Sequence, residues 1–251
     1  MSRPYDDERL AGAYDAGNGM PERSLRAWVE LIASYAPRPA PAVVEVGAGT
    51  GVFSAATARW IEGATVLAVD PSEAMLAQAR QHRAHPAVRY VAGSAEAVPA
   101  PAGSFDLALL SRVIHHLPDR PRAVGELARV VRTGGRVVVR TTFRERLDSV
   151  VYDHWPLLRE ADERRFPGEA EVVADFAAGG FALVETVSFA QPVTASLREY
   201  HDRLVTRPQS KFGHLTAEEF RAGLASLADA ARAGGAGPVL ERYDVAVFSP
   251  A

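Results

Sequence analysis

Cysteine is missing from all 251 residues, so disulfides, thiolate metal sites and cysteine nucleophiles are excluded. Lysine is reduced to Lys211 alone, a compositional bias from which no function is read. An excess of one charge sign is also lacking. The formal net charge is −3 and the isoelectric point about 6.2, so no global field draws the chain to nucleic acid or anionic membrane. No apolar run approaches the roughly 20 residues that cross a bilayer. The opening "MSRPYDDERLAGAYD" is polar and mixed in charge, unlike a signal peptide. A soluble cytoplasmic protein is expected, of a length that suits one large α/β domain or one domain with a smaller appendage.

What is present is an alternation of short β-rich runs and longer helical ones. "PERSLRAWVELIASYA" puts Leu25, Trp28, Leu31, Ile32 and Tyr35 on one helical face, and "APRPAP" ends it. Residues 42–46 read as a strand and 51–62 as a helix; "ATVLAVD" is a second strand, followed by a helix that Ser72 caps. "AVRYVAG" and "SFDLALLS" are the third and fourth strands, a helix runs from Asp119 to about Arg132, and "GGRVVVRTTF" is the fifth strand. Residues 144–167 are charged and aromatic without a clear period. "GEAEVVADFAAGG" reads as a helix, "FALVETVSF" and "PVLERYDVAVFSP" as the last two strands, and 190–237 as a polar helical segment. Strands alternating with helices predict a mainly parallel sheet covered on both faces, with insertions after the fifth and sixth strands building a cap over the crevice.

"VVEVGAGTG" (43–51) ends the first strand with Gly47, Gly49 and Gly51, a G-x-G-x-G loop that lacks the third glycine of the dinucleotide fingerprint. Glycines there let backbone approach a ligand and turn sharply into a helix. Asp70 ends the second strand about 20 residues on, where a carboxylate can accept both ribose hydroxyls. Glu45 discriminates among ribose ligands. Beside a pyrophosphate it repels; beside a cationic amino-acid group it attracts. S-adenosylmethionine fits, with adenosine, no phosphate, a sulfonium and an ammonium.

Five pieces in order extend the match: Glu45 to Gly51, "DPSEAML" (70–76), "GSAEAVP" (93–99), "SFDLALLSRVIHHL" (104–117) and "ELARVVRTGGRVVV" (126–139). Over about residues 40–142 the chain resembles the class I S-adenosylmethionine-dependent methyltransferases, in their small-molecule, type 11-like branch. The resemblance implies that Glu45 and the loop of Gly47, Ala48, Gly49 and Gly51 line the methionine part of the cofactor and that Asp70 takes the ribose. It implies Pro71 and Met75 near the adenine, with Ser94, Ala95 and Glu96 at the adenine amine. Ser94 stands where many relatives carry Asp, which weakens that hold. Ser111 and Arg112 are implied at the amino group or sulfur, and Tyr14, with Tyr5, in a segment that closes over the cofactor.

Other residues keep two readings. His115 and His116 are candidate catalytic bases, but a packed strand-end pair beside the cofactor is favoured, because the resemblance includes this pair among members with unlike substrates. Trp155, Phe166, Tyr200 and Phe212 line an acceptor pocket or form the core of the cap. Arg198, Arg203, Arg207 and Lys211 make a solvated basic face or an anion site, and Trp155, Tyr200 and Arg207 are taken as the candidate substrate pocket. No spacing among the histidines and acids supports a metal. The expectation is therefore a single α/β domain with a Rossmann-like, seven-stranded, mostly parallel sheet, helices on both faces and a helical cap. Its core falls at about 37–143, 168–189 and 238–250, and its cap at about 1–36, 144–167 and 190–237. The expected activity is methyl transfer from S-adenosylmethionine to a small organic acceptor at O, N or C, with S-adenosylhomocysteine as product. No nucleic acid or membrane partner is expected. The alternative is a protein that binds this cofactor without transferring its methyl; a nicotinamide-dependent reductase is opposed by Glu45 and the missing glycine.

Overall fold

Val43, Val44 and Val46 leave β1 (Ala42–Val46) apolar on both faces, which places it inside a sheet covered on two sides. In the computed structural model, which describes residues 19–205, 210–234 and 237–251, β1 pairs in parallel with β2 (Thr65–Asp70) and β4 (Phe105–Ser111). With β3 (Val88–Ala92), β5 (Val131–Thr141), β6 (Phe181–Thr194) and β7 (Val239–Pro250) the strands form one seven-stranded sheet in the order β3-β2-β1-β4-β5-β7-β6. The first five strands are parallel and β7 runs antiparallel between β5 and β6.

Each face carries its own core. On one, α1 (Glu22–Ser34) and α2 (Val52–Trp60) bring Trp28, Ile32 and Phe53 onto Val43, Leu107, Leu109 and Val138. On the other, α4 (Arg120–Val130) and α7 (Glu169–Ala178) bring Leu127 and Phe176 onto Val44, Val46 and Val139. Phe176 and Phe248 stack with centroids 3.9 Å apart. The helix α3 (Glu73–His82) begins at Ser72, whose Oγ accepts from Met75 N at 3.3 Å, the N-cap that the sequence calls for.

Two of the quoted sequence pieces clasp each other. Glu126 Oε1 accepts from Val98 N at 2.8 Å, and Arg129 donates to the carbonyls of Val98 and Ala100. Asp106 anchors the end of β4 remote from the crevice, accepting from Arg38 and from Ala42 N and pairing with Arg132 at 3.0 Å.

The cap differs in detail from its sequence pattern. The segment without a clear period holds two short helices, α5 (Val151–His154) and α6 (Pro156–Arg165), too brief to show a stripe. The strand β6 runs on to Thr194 rather than ending at Phe189. Pro192 is tolerated there because β6 is an edge strand with one open side. After it, α8 (Leu197–Leu204) and α9 (Ala217–Arg232) pack with α5 and α6 around a third core of Trp155, Leu158, Tyr200, Phe212 and Phe220.

Candidate functional site

The carboxyl ends of β1, β2 and β4 meet at the glycine loop. Gly47 N and Ala48 N both donate to Val69 O, at 2.8 and 3.0 Å, which fastens the loop to the tip of β2. Gly47, Gly49 and Gly51 all take positive φ, +71°, +54° and +79°. A Cβ on Gly47 would fall 2.2 Å from a methyl of Val113, whereas one on Gly49 would meet nothing within 4 Å, because Gly49 faces open space. Gly51 plays a different part from the contact expected of it. It caps α2 and lets the Tyr90 ring approach where a Cβ would stand 2.6 Å away, and it is not on a cavity wall.

Asp70 is 8% exposed, and both of its oxygens are set by backbone: Oδ2 accepts from Gly49 N and Oδ1 from Ser72 N, each at 2.8 Å. It stands on the wall of a cavity of about 480 Å³. Pro71, Met75, Ser94, Ala95 and Glu96 share that wall beside it. Ser111, Arg112, His115 and His116 continue it past the end of β4. Arg112 holds a left-handed backbone at φ +57°, with its N–H donating to Arg140 O at 2.7 Å. Strain of this kind in a non-glycine residue is characteristic of functional sites. The cap closes the far side with Leu147, Tyr152, Asp162, Arg165, Phe166 and Lys211.

A second cavity of about 90 Å³ adjoins the first, sharing Gly47, Gly49, Ser111, Arg112, Glu241 and Tyr243 with it. Glu45 and Ala48 line this smaller space, as does the buried Arg140. Burial pushes the Glu45 carboxyl up to about 8, with the Asp70 charge adding to the rise and the Ser54 hydroxyl, which donates to it, opposing. The shift favours the protonated form of Glu45 near neutral pH. Tyr243 donates to Glu241 at 2.5 Å. Burial alone would raise Glu241, but Lys211 and the Tyr243 hydrogen bond hold it low, so it faces both cavities as an anion.

His115 and His116 lie face to face, with ring centroids 4.2 Å apart, and His115 packs on Phe166 at 4.3 Å. Arg165 donates to His116 Nε2 at 2.8 Å. Burial first, then the nearby arginines, push His116 down to about 4 and His115 well below its ordinary value. Both rings are neutral at pH 7 and weakly basic.

The expected substrate pocket needs correction. Trp155 and Tyr200 are 2% and 1% exposed and lie off the cavity wall, in the core of the cap. Trp155 donates to Phe220 O and packs edge-on against Phe212, so the cap helices use their large aromatics to hold each other. Arg207 and Tyr14 lie outside the described residues. Sequence reasoning missed Arg140, Gln191, Glu241 and Tyr243. A signal existed for three of them: "VVVRTTF" puts the charge of Arg140 into a buried strand, and Glu241 and Tyr243 alternate onto one side of β7. Among the described residues no group of three or more His, Asp or Glu suits a metal ion, and no helix is long and apolar enough to cross a membrane.

A parallel sheet, a glycine loop entering a helix and an acid ending the next strand define a nucleoside-binding α/β domain. Residues 44–139 match the family described as a methyltransferase domain. A malonyl-[acyl-carrier protein] O-methyltransferase of Serratia marcescens is 36% identical over 134 residues, 53% of this chain and 49% of that protein. A demethylmenaquinone methyltransferase of Roseiflexus castenholzii is 30% identical over 149 residues, 59% of this chain and 63% of that protein. The chain thus spans less than two thirds of the length of either curated relative. In fold it is similar to the crystal structure of a candidate methyltransferase from an antibiotic biosynthesis pathway of Anabaena variabilis. The TM-score is 0.70 and the identity 24%, over 89% of this chain and 96% of that one. Over residues 44–139 the chain is thus similar to methyltransferase domains, and its fold is that of solved methyltransferase-like structures.

Proposed function

We propose that the protein transfers a methyl group from S-adenosylmethionine to a small organic acceptor held between the crevice and the cap, as a soluble cytoplasmic enzyme. The observation that carries this reading is one continuous space, running from Asp70 past the glycine loop to the cap residues. The residues present suit the cofactor. Asp70, oriented by Gly49 N and Ser72 N, turns its carboxylate to the cavity where it can accept from ribose hydroxyls. Pro71 and Met75 offer apolar surface to the adenine, with Ser94, Ala95 and Glu96 at its edge. Glu96 Oε1 and His115 Nδ1 are buried on this wall without a partner among the described residues, and a polar ligand would satisfy them. Glu45, Gly47, Ala48 and Gly49 take the methionine end, with the backbone of Ser111 and Arg112 opposite.

When bound, the cofactor supplies an electrophilic methyl on a sulfonium. The protein's contribution is alignment and exclusion of water, which Leu147, Phe166 and the rest of the cap wall provide. A concave space partly roofed by the cap and a net charge of −3 favour a small acceptor over a nucleic acid. The test is incubation with S-adenosylmethionine labelled in its methyl and fractionated small-molecule extracts. Label in a low-mass product is expected. Calorimetric binding of S-adenosylhomocysteine with no label transferred to any fraction would favour the non-transferring alternative, and failure to bind it would reject the cofactor.

Neutral, weakly basic rings make poor proton acceptors, so alignment rather than base catalysis is assigned to His115 and His116. Each change to Ala is expected to lower kcat by about tenfold or less, because loss of a true general base costs ~10²–10⁴-fold. A drop of about a hundredfold in one variant, with folding and cofactor affinity intact, would make that histidine the base.

A further inference from the structure

Arg140 stands where β5 is otherwise valine and threonine, 2% exposed. Its guanidinium sits in the corner between two aromatic rings that meet edge-on, 3.9 Å from the centroid of Tyr243 and 4.4 Å from that of Trp28. Its polar contacts are thin for so buried a cation. Nη1 donates to Ser111 Oγ at 3.3 Å and Nη2 to Gln191 Oε1 at 3.2 Å, and Nε is buried with no partner. Among the described residues no carboxylate reaches ion-pair distance of it; the Tyr243 hydroxyl interacts with it directly, and Glu241 acts on it from further away. Burial draws its pKa down to about 10, which still leaves it charged at neutral pH.

A buried charge without a counterion is unfavourable, and an apolar side chain of similar volume would serve the fold better. The location supplies the reason for keeping it. Arg140 lines the smaller cavity together with Glu45, the glycine loop and two further arginines, Arg112 and Arg203, of which Arg140 alone is held on a strand in the core of the sheet; the cavity meets the larger one at Ser111 and Glu241. About 90 Å³ is too little for a nucleoside but enough for the end of an amino-acid chain. A planar guanidinium with free donors recognises a carboxylate, which it can hold through two parallel bonds.

We propose that Arg140 is the carboxylate-binding residue of this site, holding the α-carboxylate of the cofactor's amino-acid end in the smaller cavity. The assignment rests on the methyl-donor reading above. Trp28 and Tyr243 keep the fork in place through cation–π contact from two sides, and Gln191, which also accepts from Trp28 Nε1 at 2.7 Å, fixes its rotation.

Calorimetry with two probes tests this: S-adenosylhomocysteine and its decarboxylated analogue S-adenosyl-3-thiopropylamine, which keeps the nucleoside, the thioether and the ammonium. The wild-type protein is expected to bind the first at least about tenfold more tightly. Arg140→Met should erase that preference while leaving the affinity for the decarboxylated probe within about twofold. Arg140→Lys, which keeps the charge but not the fork, should retain part of it and serves if the Met variant fails to fold. Equal wild-type affinity for the two probes overturns the proposal and leaves the methyl-donor reading standing. So does an unchanged preference in a folded variant. Failure of the wild-type protein to bind either probe removes the methyl-donor reading itself.

Discussion

Asp70→Ala is expected to weaken binding of S-adenosylhomocysteine about a hundredfold or more. The carboxylate has two tasks. It offers acceptors to two ribose hydroxyls, and charge-assisted bonds of that kind contribute ~1.5–3 kcal/mol each. It also accepts from Gly49 N and Ser72 N, so its removal frees the glycine loop and the cap of α3 together. Two lost bonds already correspond to roughly a hundredfold at ~1.4 kcal/mol per decade. Asp70→Asn, which keeps one acceptor oxygen, should fall between. Glu45→Gln should cost less than Asp70→Ala, because Gln can still accept from Ser54. Isothermal calorimetry on the three variants measures the ranking. Unchanged affinity in Asp70→Ala would take Asp70 out of the site.

The crevice was largely legible in the sequence because its parts are local. Gly47 to Gly51 form one strand–turn–helix, and Asp70 follows at the end of the very next strand, so chain order alone nearly places them together. The alternation of valine-rich runs with helices likewise specified a mostly parallel sheet, down to the number of strands. The cap was less legible, for a physical reason. A large aromatic residue in a short helix can face either a cavity or its neighbours, and periodicity decides nothing over the four residues of α5. Trp155 turned inward because Phe212 and Phe220 offered ring surface and a carbonyl for its Nε1. Phe166, which carried the same ambiguity, reached the cavity and packs on His115. Arg140 was hidden differently: its meaning depends on Gln191, Trp28 and Tyr243, all remote in the chain.

Glu45 carries the largest expected dependence on pH. Its folded pKa of about 8 lies above the ordinary value of 4.5, so the folded state binds one more proton than the unfolded chain between those values. Stability from this group is fully present below the unfolded pKa and is lost as pH rises through the folded one. Three and a half units correspond to about 3–5 kcal/mol over the whole window at ~1.36 kcal/mol per unit, undiminished by solvent because Glu45 is only 3% exposed. Urea denaturation of the wild-type protein relative to Glu45→Gln isolates the effect, since every other titrating group is common to both. Between about pH 6 and pH 8.5 the wild type should lose ~2–3 kcal/mol against the variant; parallel profiles would mean that Glu45 is ionised throughout. The same proton reports on the ligand. A cationic amino-acid group settling in the smaller cavity favours the ionised carboxylate, so binding at pH 7 should release a fraction of a proton. Calorimetry in two buffers of unlike ionisation enthalpy would register that release in the wild type and not in Glu45→Gln. Equal release in both proteins would assign the proton elsewhere and leave Glu45 a structural partner of Ser54.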